Sequence, residues 1–116
     1  MPNLAYPALA NGGWRALAFE YFRPGIAVHW LEKGGEDEPS VALLAYEPGA
    51  SAPRHRHPGL ETIVVLDGMQ SDENGDYKAG SVVLNPAGTE HSVWSETGCV
   101  VLIQWQLPVV FVGDEG

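Results

Sequence analysis

Glycine and proline cut this chain into short pieces, and that restricts its fold more than any other feature. The 116 residues include 14 Gly and 9 Pro, spread evenly. They leave segments of roughly five to nine residues, many rich in Val, Ile, Leu, Trp and Tyr. No window carries a 3.6-residue apolar period of helix length. Short strand-like segments with turns every eight to twelve residues or so are the pattern of an all-β sandwich or barrel.

The segments can be placed. An irregular arm is expected over residues 1–13, ending in Asn11-Gly12-Gly13. Strands are expected at Trp14–Phe22 and Ile26–Glu32, on either side of Arg23-Pro24-Gly25. The acidic turn Lys33–Pro39 leads into a strand at Val41–Glu47, closed by Pro48-Gly49. Glu61–Leu66 is an apolar run closed by Asp67-Gly68, with a short strand from Gln70 to Asp72 behind it. Asn74-Gly75 is a strong hairpin signal. Strands are expected again at Ser81–Leu84, His91–Ser95 and Val100–Leu107. Residues 107–116 form an edge strand or tail. The length is that of one domain, 1–116.

Composition narrows the function. The net charge is −9, and the 6 Lys and Arg are scattered. A phosphate backbone or an anionic membrane surface needs a basic cluster, so neither nucleic acid nor membrane is an expected partner. Cys99 is the single cysteine, which excludes an intrachain disulfide. The N-terminus has no signal-peptide pattern. The apolar stretch from Cys99 to Val112 is broken by Gln104, Gln106 and Pro108 and is too short to span a bilayer. The chain is expected to be soluble and cytoplasmic.

The chemistry is concentrated in His55, His57, Glu61 and His91. Residues two apart on a strand share a face, so His55 and His57 can converge on one point. Imidazole nitrogen with carboxylate oxygen suits borderline divalent ions such as Zn, Fe(II), Mn, Ni or Cu. His91 follows a Pro-x-Gly turn and can join them if the sheet curls.

These residues carry a family resemblance. Gly49 to Gly68, with His55, His57 and Glu61 inside it, has the form G-x5-H-x-H-x3-E-x6-G of the first cupin motif. Gly80 to His91 has the form G-x5-P-x-G-x2-H of the second. More closely, residues 41–103 resemble the cupin-like domain of ChrR-type anti-sigma factors, through Asp72-Glu73-Asn74-Gly75-Asp76-Tyr77 and Ser95-Glu96-Thr97-Gly98-Cys99. Ser95 stands where the second motif usually has Asn, and Thr62 where the subgroup often has a second Glu. The resemblance implies a single cupin barrel, a double-stranded β-helix or jelly roll. It implies a divalent metal (Zn, Fe, Ni or Mn) on His55, His57, Glu61 and His91. Four ligands on an octahedral ion leave two positions for water, oxygen or a small-molecule ligand. The anti-sigma factors of this type also carry an N-terminal helical domain that grips the sigma factor, and residues 1–13 offer no room for one. The expectation is thus a sensory module without its effector half. The alternative is a non-haem dioxygenase acting on a small diketone or aryl ketone. A homodimer is expected, with the apolar tail Leu107–Val112 covering a sheet edge.

Other conspicuous residues have plainer readings. His29 reads as a core-edge histidine, and Cys99 as a small buried hydrophobe. Trp30, Tyr46, Trp94 and Trp105 suit core packing or an interface as well as a barrel mouth. Arg54 and Arg56 read as surface residues. Glu90, beside His91, is a candidate to orient that ligand. Tyr46, Tyr77 and Glu90 are the weak candidates for a general acid or base.

Overall fold

The computed structural model describes residues 2–114. Met1 of the expected arm and residues 115–116 of the expected tail lie outside the described residues. The described chain has ten strands and three short 3-10 turns. The strands are β1 (Glu20–Arg23), β2 (Ile26–Glu32), β3 (Ser40–Tyr46), β4 (Ser51–Arg56) and β5 (Glu61–Asp72). They continue with β6 (Gly75–Lys78), β7 (Val82–Asn85), β8 (Glu90–Trp94), β9 (Cys99–Trp105) and β10 (Val110–Phe111). The sheet order is β1-β2-β3-β9-β5-β8-β4-β10, with β6 and β7 also paired to β5. The described pairings are all antiparallel.

β5 is the element that turns this sheet into a barrel-like curl. Its first half pairs with β7 and β9, and its second half with β6 and β8. The sequence suggests two strands here, because Asp67-Gly68 reads as a turn. The structure instead has a β-bulge between Val65 and Asp67 and continues the same strand. Gly68 follows at φ 74°. A bulge and a left-handed glycine bend a strand without ending it. One strand can therefore serve both halves of the curl.

Alternation sets what lies inside. Glu61, Ile63 and Val65 point inward from β5, while Thr62 and Val64 face outward. Register aligns Val65 with Val101, and Val101 with Leu44, which lies beside Val28. These side chains join Ile26, Ile103 and Val93 in the buried core. Each such aliphatic residue contributes on the order of 2 kcal/mol of burial free energy.

The N-terminal expectation needs correction. Trp14–Phe22 is not one strand. Gly13–Ala16 forms a 3-10 turn, and the strand starts only at Glu20. Gly12 at φ 102° starts that turn. The segment is held by side chains rather than a ladder: the Ala18 carbonyl lies 2.7 Å from His29 Nδ1, and Arg15 reaches Asp67 at 3.9 Å. His29 is thereby a half-buried structural residue. Ser51–Arg56 is a strand that holds His55 but ends before His57, although the His-x-His spacing reads as two residues on one strand face. The β10 edge strand forms within the expected tail and pairs with β4. Among the described residues, no helix is long and apolar enough to cross a membrane.

Cys99 opens β9 and is 4% exposed. Burial pushes its thiol up to about 11. The native protein should therefore react slowly with a thiol reagent at pH 8 and fully once denatured. Rapid labelling of the folded protein would contradict this placement.

Candidate metal centre

The four expected residues come together inside the curl. His55 and His91 are cross-strand partners on β4 and β8. His57 lies just past the end of β4, not on it, and its backbone N–H donates to the Thr89 carbonyl at 2.9 Å. Glu61 opens β5. The three imidazole centroids form a nearly equilateral triangle with sides of 4.9, 4.7 and 4.7 Å. Ligand atoms of all four residues lie within 4.8 Å of one another. Each of the four is less than 7% exposed.

The hydrogen bonds around the cluster fix how the rings are presented. His55 Nδ1 lies 3.0 Å from the Pro53 carbonyl. His57 Nδ1 lies 3.0 Å from both the carbonyl and Oγ1 of Thr89. His91 Nδ1 lies 3.0 Å from Asp72 Oδ2. Carbonyl and carboxylate oxygens accept, so each Nδ1 carries the proton and donates. Each neutral ring then offers its Nε2 lone pair to the centre. His57 Nε2 is 3.2 Å from Glu61 Oε1, and His91 Nε2 is 3.9 Å from it. Neither contact is aligned as a hydrogen bond, so both buried nitrogens lack a partner. Buried polar atoms are rarely left so. Three inward lone pairs and one carboxylate form a donor set that fits a borderline divalent ion.

Glu61 is held from both sides by sheet register. Its partner on β7 is Asn85 and its partner on β9 is Trp105. Asn85 Nδ2 donates to Oε1 at 2.9 Å, and Trp105 Nε1 donates to Oε2 at 2.8 Å. Burial works to raise the Glu61 carboxyl. The close His57 contact and the electrostatic influence of the surrounding imidazole rings outweigh it and hold the group below the ordinary carboxylate range. Burial pushes His55 below the ordinary imidazole value, and His91 and His57 push the same way. Both directions keep the groups in the deprotonated forms that bind metal.

The supporting shell is where sequence reasoning fell short. Glu90 does not orient His91; it faces away and pairs with Arg54 at 3.3 Å. That role belongs to Asp72, which also accepts from Tyr77 Oη at 2.9 Å and from the Asn74 backbone N–H at 2.8 Å. Burial alone would raise the Asp72 carboxyl, but these three donors lower it. Asp72 sits in an acidic hairpin that reads as a solvated turn, and only the curl of β5 brings it to His91. Asn85, Thr89 and Trp105 were also missed as supports, since their role depends on register. Removing the Asp72 charge as Asp72→Asn should weaken metal binding by about 10- to 100-fold with the fold retained. Competition against a chelator measures this, and an unchanged affinity would count against the Asp72–His91 link.

An apolar cavity of about 70 Å³ borders the cluster. His55, Glu61 and His91 line it together with apolar side chains such as Ile26, Leu44 and Phe111. Tyr46 and Trp105 line it, whereas Trp30 lines a separate groove beside Lys33. Burial raises the Tyr46 hydroxyl well above its ordinary value, so it stays protonated and can donate.

Known proteins resemble this chain in sequence and fold. The ChrR cupin-like domain family matches residues 12–108. The anti-sigma-E factor ChrR of Cereibacter sphaeroides is 34% identical over 101 residues, covering 84% of this chain and 44% of that protein. The solved complex of Rhodobacter sphaeroides SigE with the anti-sigma ChrR is similar at TM-score 0.71 and 27% identity, over 85% of this chain and 55% of that one. An acetylacetone dioxygenase from Acinetobacter johnsonii superposes at TM-score 0.76 with 19% identity, over 84% of this chain and 74% of that one. At that identity the likeness shows a shared fold alone. This chain therefore spans about half the length of the ChrR proteins it matches. The fold is a cupin, and the chain belongs to the ChrR cupin-like domain family.

Proposed function

We propose that this chain is a metal-organised regulatory module. In this reading His55, His57, Glu61 and His91 hold one Zn, Fe, Ni or Mn ion. The carrying observation is the pair of partnerless buried nitrogens, His57 Nε2 and His91 Nε2, turned toward Glu61. A bound divalent ion would supply Lewis acidity, or a site for oxygen, at the cavity wall. The chain's own residues supply the rest. Asp72, Thr89 and the Pro53 carbonyl hold the rings, Asn85 and Trp105 hold the carboxylate, and the apolar lining limits water. The solved relative is bound to a sigma factor, so the output proposed here is control of a transcription-regulating partner in the cytoplasm.

One observation favours a second reading, a small dioxygenase: the cavity touches three of the four site residues. No separate general base lines that cavity, and this supports the regulatory reading over the enzymatic one. Elemental analysis followed by oxygen uptake with Fe(II) and a panel of β-diketones and aryl ketones tests the choice. An oxygen-inert, metal-bearing protein is expected. Steady oxygen uptake with product from one ketone would overturn the regulatory reading.

The expected homodimer also stands as a proposal. Edge strand β7 exposes Val82 at 63% and Leu84 at 58%, which supports self-association. Size-exclusion chromatography with light scattering tests it, and a monomer at all concentrations would count against it.

A further inference from the structure

We propose that Arg23 makes the cavity beside the metal centre a binding site for a short-chain monocarboxylate. This rests on the regulatory reading only for what the inner end of the ligand meets.

Consecutive residues on a regular strand face opposite ways. Tyr21 is 76% exposed, and Phe22 turns inward against Trp105. Continued alternation would put Arg23 outside with Tyr21. A β-bulge between Tyr21 and Arg23 breaks the alternation, and Phe22 and Arg23 both line the cavity. Bulges commonly re-aim a side chain in this way.

Arg23 is held there without an ion-pair partner. Its guanidinium carbon lies 4.1 Å from the centroid of the Phe111 ring. Phe111 in turn stacks edge-on against His55 at 5.8 Å. In a chain with 15 acidic residues, no carboxylate among the described residues pairs with Arg23. Stacking covers one face of the guanidinium and leaves its in-plane N–H fork for a ligand.

A second donor faces the same space. Tyr46 is 7% exposed and lines the cavity. Its oxygen accepts a long 3.5 Å contact from Gln70 Nε2, while its own O–H donates to no described residue. A cation with a forked donor, a free hydroxyl donor and aliphatic walls match a carboxylate with a short apolar tail. Arg23 is the one Lys or Arg on the lining, a single fixed charge that matches a monoanion. The volume of about 70 Å³ holds a ligand with only about five or six non-hydrogen atoms.

Calorimetric titration of the purified protein with butanoate, and with butanamide as the neutral control, tests this. Wild type should bind butanoate saturably and butanamide at least about tenfold more weakly. Arg23→Gln should lose about tenfold or more in butanoate affinity, with metal content and melting temperature unchanged. Tyr46→Phe should lose less. No saturable binding to wild type would overturn the proposal, as would an Arg23→Gln protein that binds like wild type or an amide that binds as well as the acid. Metal is measured on the same samples. A metal-free wild type would sink the metal reading, while the butanoate titration would still decide the role of Arg23.

Discussion

Glu61→Gln is expected to reduce bound metal from about one ion per chain to background, a larger loss than removing any supporting residue. The variant keeps the shape of the side chain but removes its charge and one acceptor. Asn85 and Trp105 each donate to a different Glu61 oxygen. A glutamine has one oxygen, so one of these donors must face an amide NH2. That mismatch costs about 1–3 kcal/mol even before metal is considered. The three imidazoles, arranged about a carboxylate, are left around a neutral amide, a much weaker ligand. Metal analysis alongside circular dichroism separates the two effects. The account expects a folded, less stable, metal-poor protein. A Glu61→Gln protein with full metal occupancy would remove Glu61 from the centre.

Gly68→Ala is expected to destabilise the fold by about 3 kcal/mol, combining a left-handed backbone penalty with a steric clash. For a domain of this size that lowers the melting temperature by roughly 10–20 °C. Gly68 has φ +74°, and a Cβ there would run into the Gly98 carbonyl oxygen and lie 3.0 Å from Cys99 Cα. Both obstacles are backbone where β9 begins, so they cannot rotate away. Gly80→Ala is the control. Its φ is +96°, but a Cβ there meets nothing within 4 Å. It should cost only about 1 kcal/mol. Equal melting temperatures for the two variants would show that the close approach at Gly68 carries no weight.

Gly68 also shows how far the sequence could be read. Turn residues and apolar runs were enough to expect an all-β chain, and Ile26–Glu32 is a strand with the expected bounds. The two motifs were enough to single out His55, His57, Glu61 and His91, which the structure brings together, because residues fixed in short local spacings leave a local trace. Asp67-Gly68 misled because a bulge and a turn use the same residues. Only the pairing of β5 with strands on both sides tells them apart. Asp72 was illegible for a related reason. It is 19 positions from His91, and no local spacing links them. Glu90 is a candidate only through its adjacency in sequence, and adjacency on a strand places it on the opposite face. The 3-10 turn at Gly13–Ala16 was hidden behind Trp14, Leu17 and Phe19, which read as strand formers. The candidate centre was therefore visible in its four clustered residues and invisible in their supports.

The measurement that tests the central claim most directly is the metal-to-protein ratio of the purified wild type by elemental analysis, before and after reconstitution with Zn, Fe(II), Ni or Mn. The account predicts about one divalent ion per chain, retained through dialysis, and lost when His57 or His91 is replaced by Ala. A wild-type protein that stays at background after reconstitution with each of these ions, while folded, would contradict it.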